Sequence, residues 1–267
     1  MTAAPPTQGR LHPWLLAAVV GATLIGVLLP GNPADKLRAL VAGLCAQRPG
    51  HSYFLGEMQL PLEARMGGIY AGFLVGVVWL LWAGRERAGL LPPGPLQALL
   101  LGFVGLLALD GTNALLYDTG WPALYPPHNA LRLATGLLCG LAVALLATPA
   151  VATTLWRTWD LEASVESLRE LVGPLVGLAL VLVATVSGVA VLYYPLAVMQ
   201  VGGALLAFTV GNAYALLLLI GAAGQATRWR EALNALLAGA LVAVGEFLAL
   251  AMLRHWAETT LGLHWVV

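Results

Sequence analysis

Charge is what this sequence has least of. Of its 267 residues only 10% are Asp, Glu, Lys or Arg, while 60% are hydrophobic; ordinary globular domains carry about 25% charged residues. A water-soluble fold of this length could not cover its surface with so few charges, which excludes that class and implies a polytopic membrane protein with the lipid bilayer as its partner. The 13 basic residues balance the 13 acidic ones and stand singly or in pairs, an arrangement that gives nucleic acid no basic stripe to bind. Cysteine is also scarce. Cys45 and Cys139 cannot make the clustered pairs that zinc or iron–sulfur sites need, although a disulfide between them stays open. No G-x-S-x-G elbow, H-E-x-x-H pair or Walker loop occurs, so the common hydrolase, metalloprotease and nucleotide-binding signatures are missing. The five histidines, His12, His51, His128, His255 and His264, are dispersed. No metal and no cofactor is expected.

What is present is apolar length. A helix rises 1.5 Å per residue, so a hydrocarbon core of about 30 Å needs about 20 mostly apolar residues. Seven runs approach this: Trp14 to Leu29, Met66 to Ala83, Pro95 to Asp110, Ala130 to Ala150, Leu171 to Tyr193, Leu196 to Ala223 and Glu231 to Leu253. The expected fold class is all-α, a polytopic transmembrane helix bundle of about seven spans. The first run is short enough to resemble a signal peptide, but no small-x-small cleavage site follows it, so a retained helix is expected. Trp14, Trp82, Trp121, Trp156, Trp229 and Trp256 fall near run ends, where their amphipathic rings suit the headgroup level. Arg85 and Arg87, Arg157, and Arg228 and Arg230 follow the second, fourth and sixth runs. The positive-inside rule puts those loops in the cytoplasm, against which Lys36, Arg38, Arg48 and Arg65 argue from the opposite side. Residues 34 to 46 place Leu37, Leu40, Val41 and Leu44 at spacings of three and four, which predicts a short amphipathic helix at the interface or a packed connector. Residues 111 to 129 read as a loop, with Tyr125-Pro126-Pro127 extended. Residues 159 to 170 read as a solvated acidic connector.

An up-and-down path brings the start of the second run, the end of the third and the start of the fourth to one membrane face. That face receives Arg65, Asp110, Asn113, His128, Asn129 and Arg132, joined by Tyr193, Tyr194, Gln200, Arg254 and His255 if the count of seven holds. An ionised side chain at the hydrocarbon boundary costs a few kcal/mol unless it is paired or reaches water. Asp110 therefore either ties three helices together through Arg65 and Arg132, with Thr112 and Asn113 capping loose ends, or orients those arginines around an anionic ligand. Glu246 lies deep in the seventh run, with Asn212, Thr209 and Gln200 as possible polar neighbours. A proton or cation path and a simple interhelical bond both fit it. Gly68, Gly72 and Gly76, Gly136 and Gly140, and Gly173 and Gly177 repeat at spacings of four, which lets helices approach closely, within one chain or across a homo-oligomer or membrane-complex seam.

Two stretches resemble a known family. "CAQRPGHSYFLGEMQLPLEARMGGIYAGFLVG" (45 to 76) and "LDGTNALLYDTGWPALYPPHNALRLATGLLCG" (109 to 140) are similar to the two signature blocks of the domain-of-unknown-function 2085 family of prokaryotic membrane proteins. Cys45, Gln47, Pro49, Ser52, Arg65, Gly68, Tyr70, Gly72, Asp110, Gly111, Asn129, Arg132, Thr135 and Gly136 agree with the pattern. The family's histidine after the first cysteine is Ala46 here, its later cysteines are Glu63 and Met66, and its arginine before serine is His51. A Cys/His constellation that relatives carry is thus largely lost, while the Asp/Arg/Asn set is kept. The resemblance implies a family-like membrane domain over residues 1 to 150, with about four spans and an interfacial helix. Residues 151 to 267 would add a three-helix module packed into the same bundle, and the inner (plasma) membrane of a prokaryote would be its location. The expected function is binding or passage of a small anionic or lipid-like ligand at a polar mouth holding Arg65, Asp110, Asn113, Asn129 and Arg132. Glu246, Asn212 and Gln200 are intramembrane polar candidates. The alternatives are a membrane-embedded enzyme acting on lipid headgroups, with Asp110 as acid or base, and a non-catalytic accessory subunit.

Overall fold

A computed structural model describes residues 12–28 and 30–262. Among them the chain forms α1 (Pro13–Leu28), α2 (Pro33–Leu40), a two-stranded antiparallel hairpin of β1 (Phe54–Leu55) and β2 (Met58–Gln59), and α3 (Ala64–Trp82). It continues through β3 (Ala88–Leu90), α4 (Gly94–Asp118), α5 (Asn129–Leu155), β4 (Asp160–Ala163), α6 (Leu168–Val186), α7 (Tyr193–Leu219) and α8 (Trp229–Leu261). The helices α3 to α8 are each long and apolar enough to cross a membrane. At 16 residues, α1 is shorter than these six, and just before it the His12 backbone N–H donates to Asn234 Oδ1 at 2.8 Å. His264 lies outside the described residues.

The centre of the bundle is the crossing of α3 and α5. Leu133, Leu137, Leu141 and Leu145 recur every four residues along one face of α5 and are almost fully buried, with Leu80, Leu100, Leu171 and Leu178 completing that core from α3, α4 and α6. Close approach needs residues without side chains. A Cβ at Gly72 would strike the Leu137 backbone, and one at Gly140 would strike the Ile69 carbonyl. The same holds at Gly203, where α7 meets Tyr70 of α3, and at Gly239, where α8 meets Thr209 and Ala213 of α7. Gly173 and Gly177 face Trp79 and Val75, so the glycine stripes of the sequence all lie at contacts within one chain.

Several boundaries differ from the sequence reading. The third run does not end at Asp110. Its helix continues two turns further to Asp118, because Asp110 and Asn113 find polar partners alongside the helix and do not break it. The stop is Thr119, whose hydroxyl turns back to the Leu115 carbonyl at 2.7 Å, followed by Gly120 at φ +76°. The fifth run ends at Val186, where Ser187 and Gly188 (φ +67°) and a 3-10 turn at Ala190–Leu192 hand Tyr193 to α7. Residues 34 to 46 are a packed connector: Asn32 caps α2 by accepting the Ala34 N–H, and Leu37, Leu40 and Leu44 pack against the cluster of Val41, Tyr70, Val201 and Phe247. The acidic segment 159 to 170 is not simply solvated. Its β4 pairs in parallel with β3, Ser164 is fully buried, and Arg85 collects Glu162 and Glu166 at 3.2 Å and Glu170 at 3.8 Å.

Candidate functional site

The connection between α2 and α3 closes over one end of the bundle, and four polar side chains hold it there. Gln47, the one described non-glycine residue at positive φ (+56°), donates through Nε2 to the carbonyls of Arg38 at 2.9 Å and Pro61 at 2.8 Å. Gln59 Nε2 donates to the Gln47 carbonyl and to Ser52 Oγ, at 2.8 and 2.9 Å. From α5, Asn129 Nδ2 donates to the Gly50 carbonyl at 3.1 Å. From α8, Arg254 Nη1 donates to the carbonyls of Ala42 and Cys45 at 2.8 and 2.9 Å. Each bond satisfies a loop carbonyl that a buried turn would otherwise leave orphaned. The loop positions Arg48, His51 and Glu63 over the start of α5.

The polar residues expected at this face divide into two unequal groups. Asp110 is 1% exposed. Its Oδ2 accepts from Arg65 Nη2 at 2.7 Å and its Oδ1 accepts from the Tyr125 hydroxyl at 3.1 Å. Asn113 accepts from the backbone N–H groups of Leu124 and Tyr125, at 2.7 and 3.3 Å, and donates to the Tyr125 carbonyl at 2.9 Å. Thr112 is exposed. These residues therefore fasten the α4–α5 loop and α3 to α4, and they cap no helix end. The Tyr125 hydroxyl holds its proton more tightly than a free tyrosine, through burial first and then its bond to the Asp110 carboxylate.

Arg132 does not reach Asp110, contrary to the sequence expectation of two arginine partners. It lies in the first turn of α5 at 6% exposure, and its one described side-chain bond runs from Nη1 to the neutral Asn129 Oδ1 at 3.2 Å. No carboxylate oxygen lies within ion-pair distance of it among the described residues, which leaves a cation largely out of water with unused donors. Nearby, Arg48 donates through its backbone N–H and Nε to Glu63 Oε1, at 2.9 and 3.2 Å. His51 stands between Glu63 Oε2 at 3.8 Å and Asp118 Oδ2 at 4.0 Å. Burial, then the guanidiniums of Arg132 and Arg48, hold His51 below the ordinary imidazole range against the opposing pull of Glu63 and Asp118.

The other polar candidates separate. Glu246, midway along α8, accepts from Asn212 Nδ2 of α7 at 2.7 Å. Gln200 is not part of that pair; its Oε1 accepts the Leu62 N–H at 3.4 Å, beneath the mouth. Thr209 instead meets Gly239 through its backbone. Cys45 and Cys139 are free thiols, and burial raises that of Cys45. Tyr125 and Asp118 are the site residues that sequence reasoning missed. Treating Asp110-Gly111 as the helix end hid both, although Thr119-Gly120 followed by Trp121-Pro122 is the stronger stop signal.

An all-α bundle of membrane-length helices with a polar cluster closed over one end defines a polytopic integral membrane protein. Residues 45–146 match the model of the domain-of-unknown-function 2085 family, described as a predicted membrane protein; both sequence blocks fall within that segment. No curated protein and no solved structure matches the chain. The matched segment ends within α5, so it includes both parts of the mouth and leaves α6, α7 and α8 outside.

Proposed function

We propose that the mouth formed by the 45–63 loop, the end of α4 and the start of α5 binds a small anion or the anionic group of a lipid. The observation that carries this reading is Arg132, a residue at 6% exposure whose one described side-chain bond goes to a neutral amide oxygen. Arg65 and Asp110 belong to the scaffold of the site, since they pair with each other through Arg65 Nη2 and Asp110 Oδ2. This also weighs against the catalytic alternative, because an acid or base needs a free oxygen at the substrate and both Asp110 oxygens are engaged.

Binding is favoured over passage. Leu133, Leu137 and Leu141 close the α3–α5 seam immediately beneath Arg132. A cavity of about 420 Å³ between α3, α5 and α7 is lined by Ile69, Tyr70, Phe73, Val143, Ala207 and Tyr214 among others, an apolar set that includes none of the mouth residues and not Glu246. Arg85, Arg87, Arg157, Arg228 and Arg230 belong to connections at the opposite end, where the Arg87 guanidinium lies 4.0 Å over the Trp156 ring and the Arg157 N–H donates to the Ala226 carbonyl. We place that end in the cytoplasm of a prokaryotic cell and the mouth on the outer side of its plasma membrane, with residues 1–150 as the binding domain and 151–267 as its support. The test is a titration of purified wild-type protein and Arg132→Gln with inorganic phosphate, together with mass spectrometry of co-purified lipid. Arg132→Gln is expected to weaken anion binding by about tenfold or more, the worth of one charge-assisted hydrogen bond. Unchanged affinity and unchanged lipid occupancy would overturn the reading.

A further inference from the structure

The anion-binding reading, on which this inference rests, leaves one residue at the mouth unexplained. Asp118 ends α4 with its side chain 37% exposed. It accepts no described hydrogen bond, and its nearest basic groups, the Arg48 guanidinium at Nη1 and the His51 imidazole at Nε2, both stand at 4.0 Å, the outer limit of an ion pair. A site shaped only for an anion gains nothing from a carboxylate at its rim, since like charge repels the ligand. Asp118 nevertheless meets the 45–63 loop at Arg48 and His51, the same loop that Asn129 holds at Gly50 beside Arg132, and it does not pair with Arg132. The mouth thus presents two opposite and incompletely engaged charges on neighbouring helices.

The rest of the mouth is balanced. Arg48 and Arg65 are matched by Glu63 and Asp110, so the residual pair is Arg132 and Asp118, and with His51 neutral the site carries no net charge. A ligand without net charge but with both signs fits such a site better than a bare anion does. Among the described residues, Arg65 Nε and the Tyr193 hydroxyl are the buried polar side-chain atoms lacking a partner, so the unbonded nitrogens of Arg132 keep contact with the outside. Tyr117, Trp121 and Leu124 are exposed around the rim, apolar and aromatic side chains of the kind that settle at the headgroup layer.

We propose that the mouth selects a zwitterionic ligand in which an oxyanion such as phosphate is joined by a short linker to an ammonium group. Arg132, with Arg48 beside it, takes the oxyanion, for which a planar guanidinium fork is the matched donor. Asp118 takes the ammonium, whose N–H donors its unoccupied oxygens can accept. The same pairing of oxyanion and ammonium occurs in the headgroup of an ethanolamine phospholipid, whose net charge is zero, and in free phosphoethanolamine, whose phosphomonoester carries a further negative charge at neutral pH.

The experiment compares four ligands on the full chain. Free phosphoethanolamine and inorganic phosphate are titrated into detergent-solubilised protein, and nanodiscs of phosphatidylethanolamine and of phosphatidylglycerol are compared for retained lipid, each with wild type, Asp118→Asn and Arg132→Gln. Wild type is expected to prefer phosphoethanolamine to phosphate, and the ethanolamine lipid to the glycerol lipid, by about tenfold, one charge-assisted hydrogen bond. Asp118→Asn should abolish both preferences while leaving phosphate binding equal or tighter. Preference in nanodiscs alone makes the lipid the source; preference for the free compound makes the headgroup sufficient. If Asp118→Asn tightens phosphoethanolamine as much as phosphate, or wild type favours the purely anionic members, the zwitterion inference is overturned while the anion site stands. If Arg132→Gln binds all four as wild type does, the anion site itself falls. Asp118 is exposed, so its variant folds where a variant of buried Arg132 fails, and the sign of its effect alone decides the inference.

Discussion

At Asp110 the two oxygens of one carboxylate hold different parts of the molecule, Oδ2 to Arg65 of α3 and Oδ1 to Tyr125 of the α4–α5 loop. Replacing it with Asn removes the charge that Arg65 needs, and breaking a buried pair on one side costs about 3 to 5 kcal/mol. Arg65 keeps 27% of its side chain exposed, so the lower figure, about 3 kcal/mol, applies. Tyr125→Phe, which removes one hydrogen bond, should cost about 1 kcal/mol. Thermal unfolding in detergent checks both, and an Asp110→Asn protein as stable as wild type would show that the pair is not structural. His51 gives a second residue-scale outcome. Arg132, Arg48, Glu63 and Asp118 face it, and its folded value lies below the ordinary 6.5. The unfolded chain therefore binds more protons in acid. Stability is fully present above about pH 6.5 and declines as pH falls through the depressed folded value. His51→Gln should flatten that decline. A bound oxyanion favours the imidazolium, so phosphate affinity of wild type should rise over the same interval, and this rise should vanish in the variant.

Among the elements, α3 and α5 depend on glycine in a way α4 does not. A side chain at Gly140 meets the Ile69 carbonyl and the Phe73 backbone, whereas Gly102 and Gly105 of α4 have nothing within 4 Å of an added Cβ. Gly140→Val should destabilise by about 1 to 3 kcal/mol or prevent assembly, while Gly102→Val should stay within about 0.5 kcal/mol of wild type. Equal effects at the two positions would contradict the α3–α5 crossing. This contrast also marks what the sequence can convey. Hydrophobic length places each span, and alternation of spans correctly brings Arg65, Asp110, Asn129 and Arg132 to one end. Neither conveys azimuth, so that Arg65 bonds Asp110 while Arg132 turns to Asn129 could not be read from spacing. The end of α4 lies beyond the sequence expectation because polar residues inside a span look like a stop until their partners on other elements are known. The β3–β4 pairing joins segments about 70 residues apart through strands too short to show an alternating pattern.

Across the whole molecule, the residues of the mouth come from the first half of the chain and their loop is clamped from the second. Arg254, near the end of a 33-residue helix about 50 Å long, is the connecting residue. Its Nη1 donates to Ala42 and Cys45, Nη2 to the Ala46 carbonyl at 3.2 Å, and Nε to Glu258 at 2.7 Å, which keeps the guanidinium aimed. The loop so gripped continues directly into Arg48 and His51. Substituting Arg254→Leu removes every one of these donors and frees carbonyls that then turn to water, so the opening free energy of the 42–52 segment should fall toward that of an ordinary surface loop. Hydrogen exchange is expected to accelerate at residues 42–52 and in the last turns of α8, with the α3–α5 core unchanged. Ligand affinity at the mouth should drop several-fold, because Arg48 is no longer held beside Arg132 and binding must now order the loop. Arg254→Lys, which keeps one charge but not the fork, should fall between the two. If exchange in the loop accelerates while affinity is unchanged, Arg48 and His51 take no part in binding and the site contracts to Arg132 and Asp118; if neither changes, α8 is not the clamp that its hydrogen bonds describe.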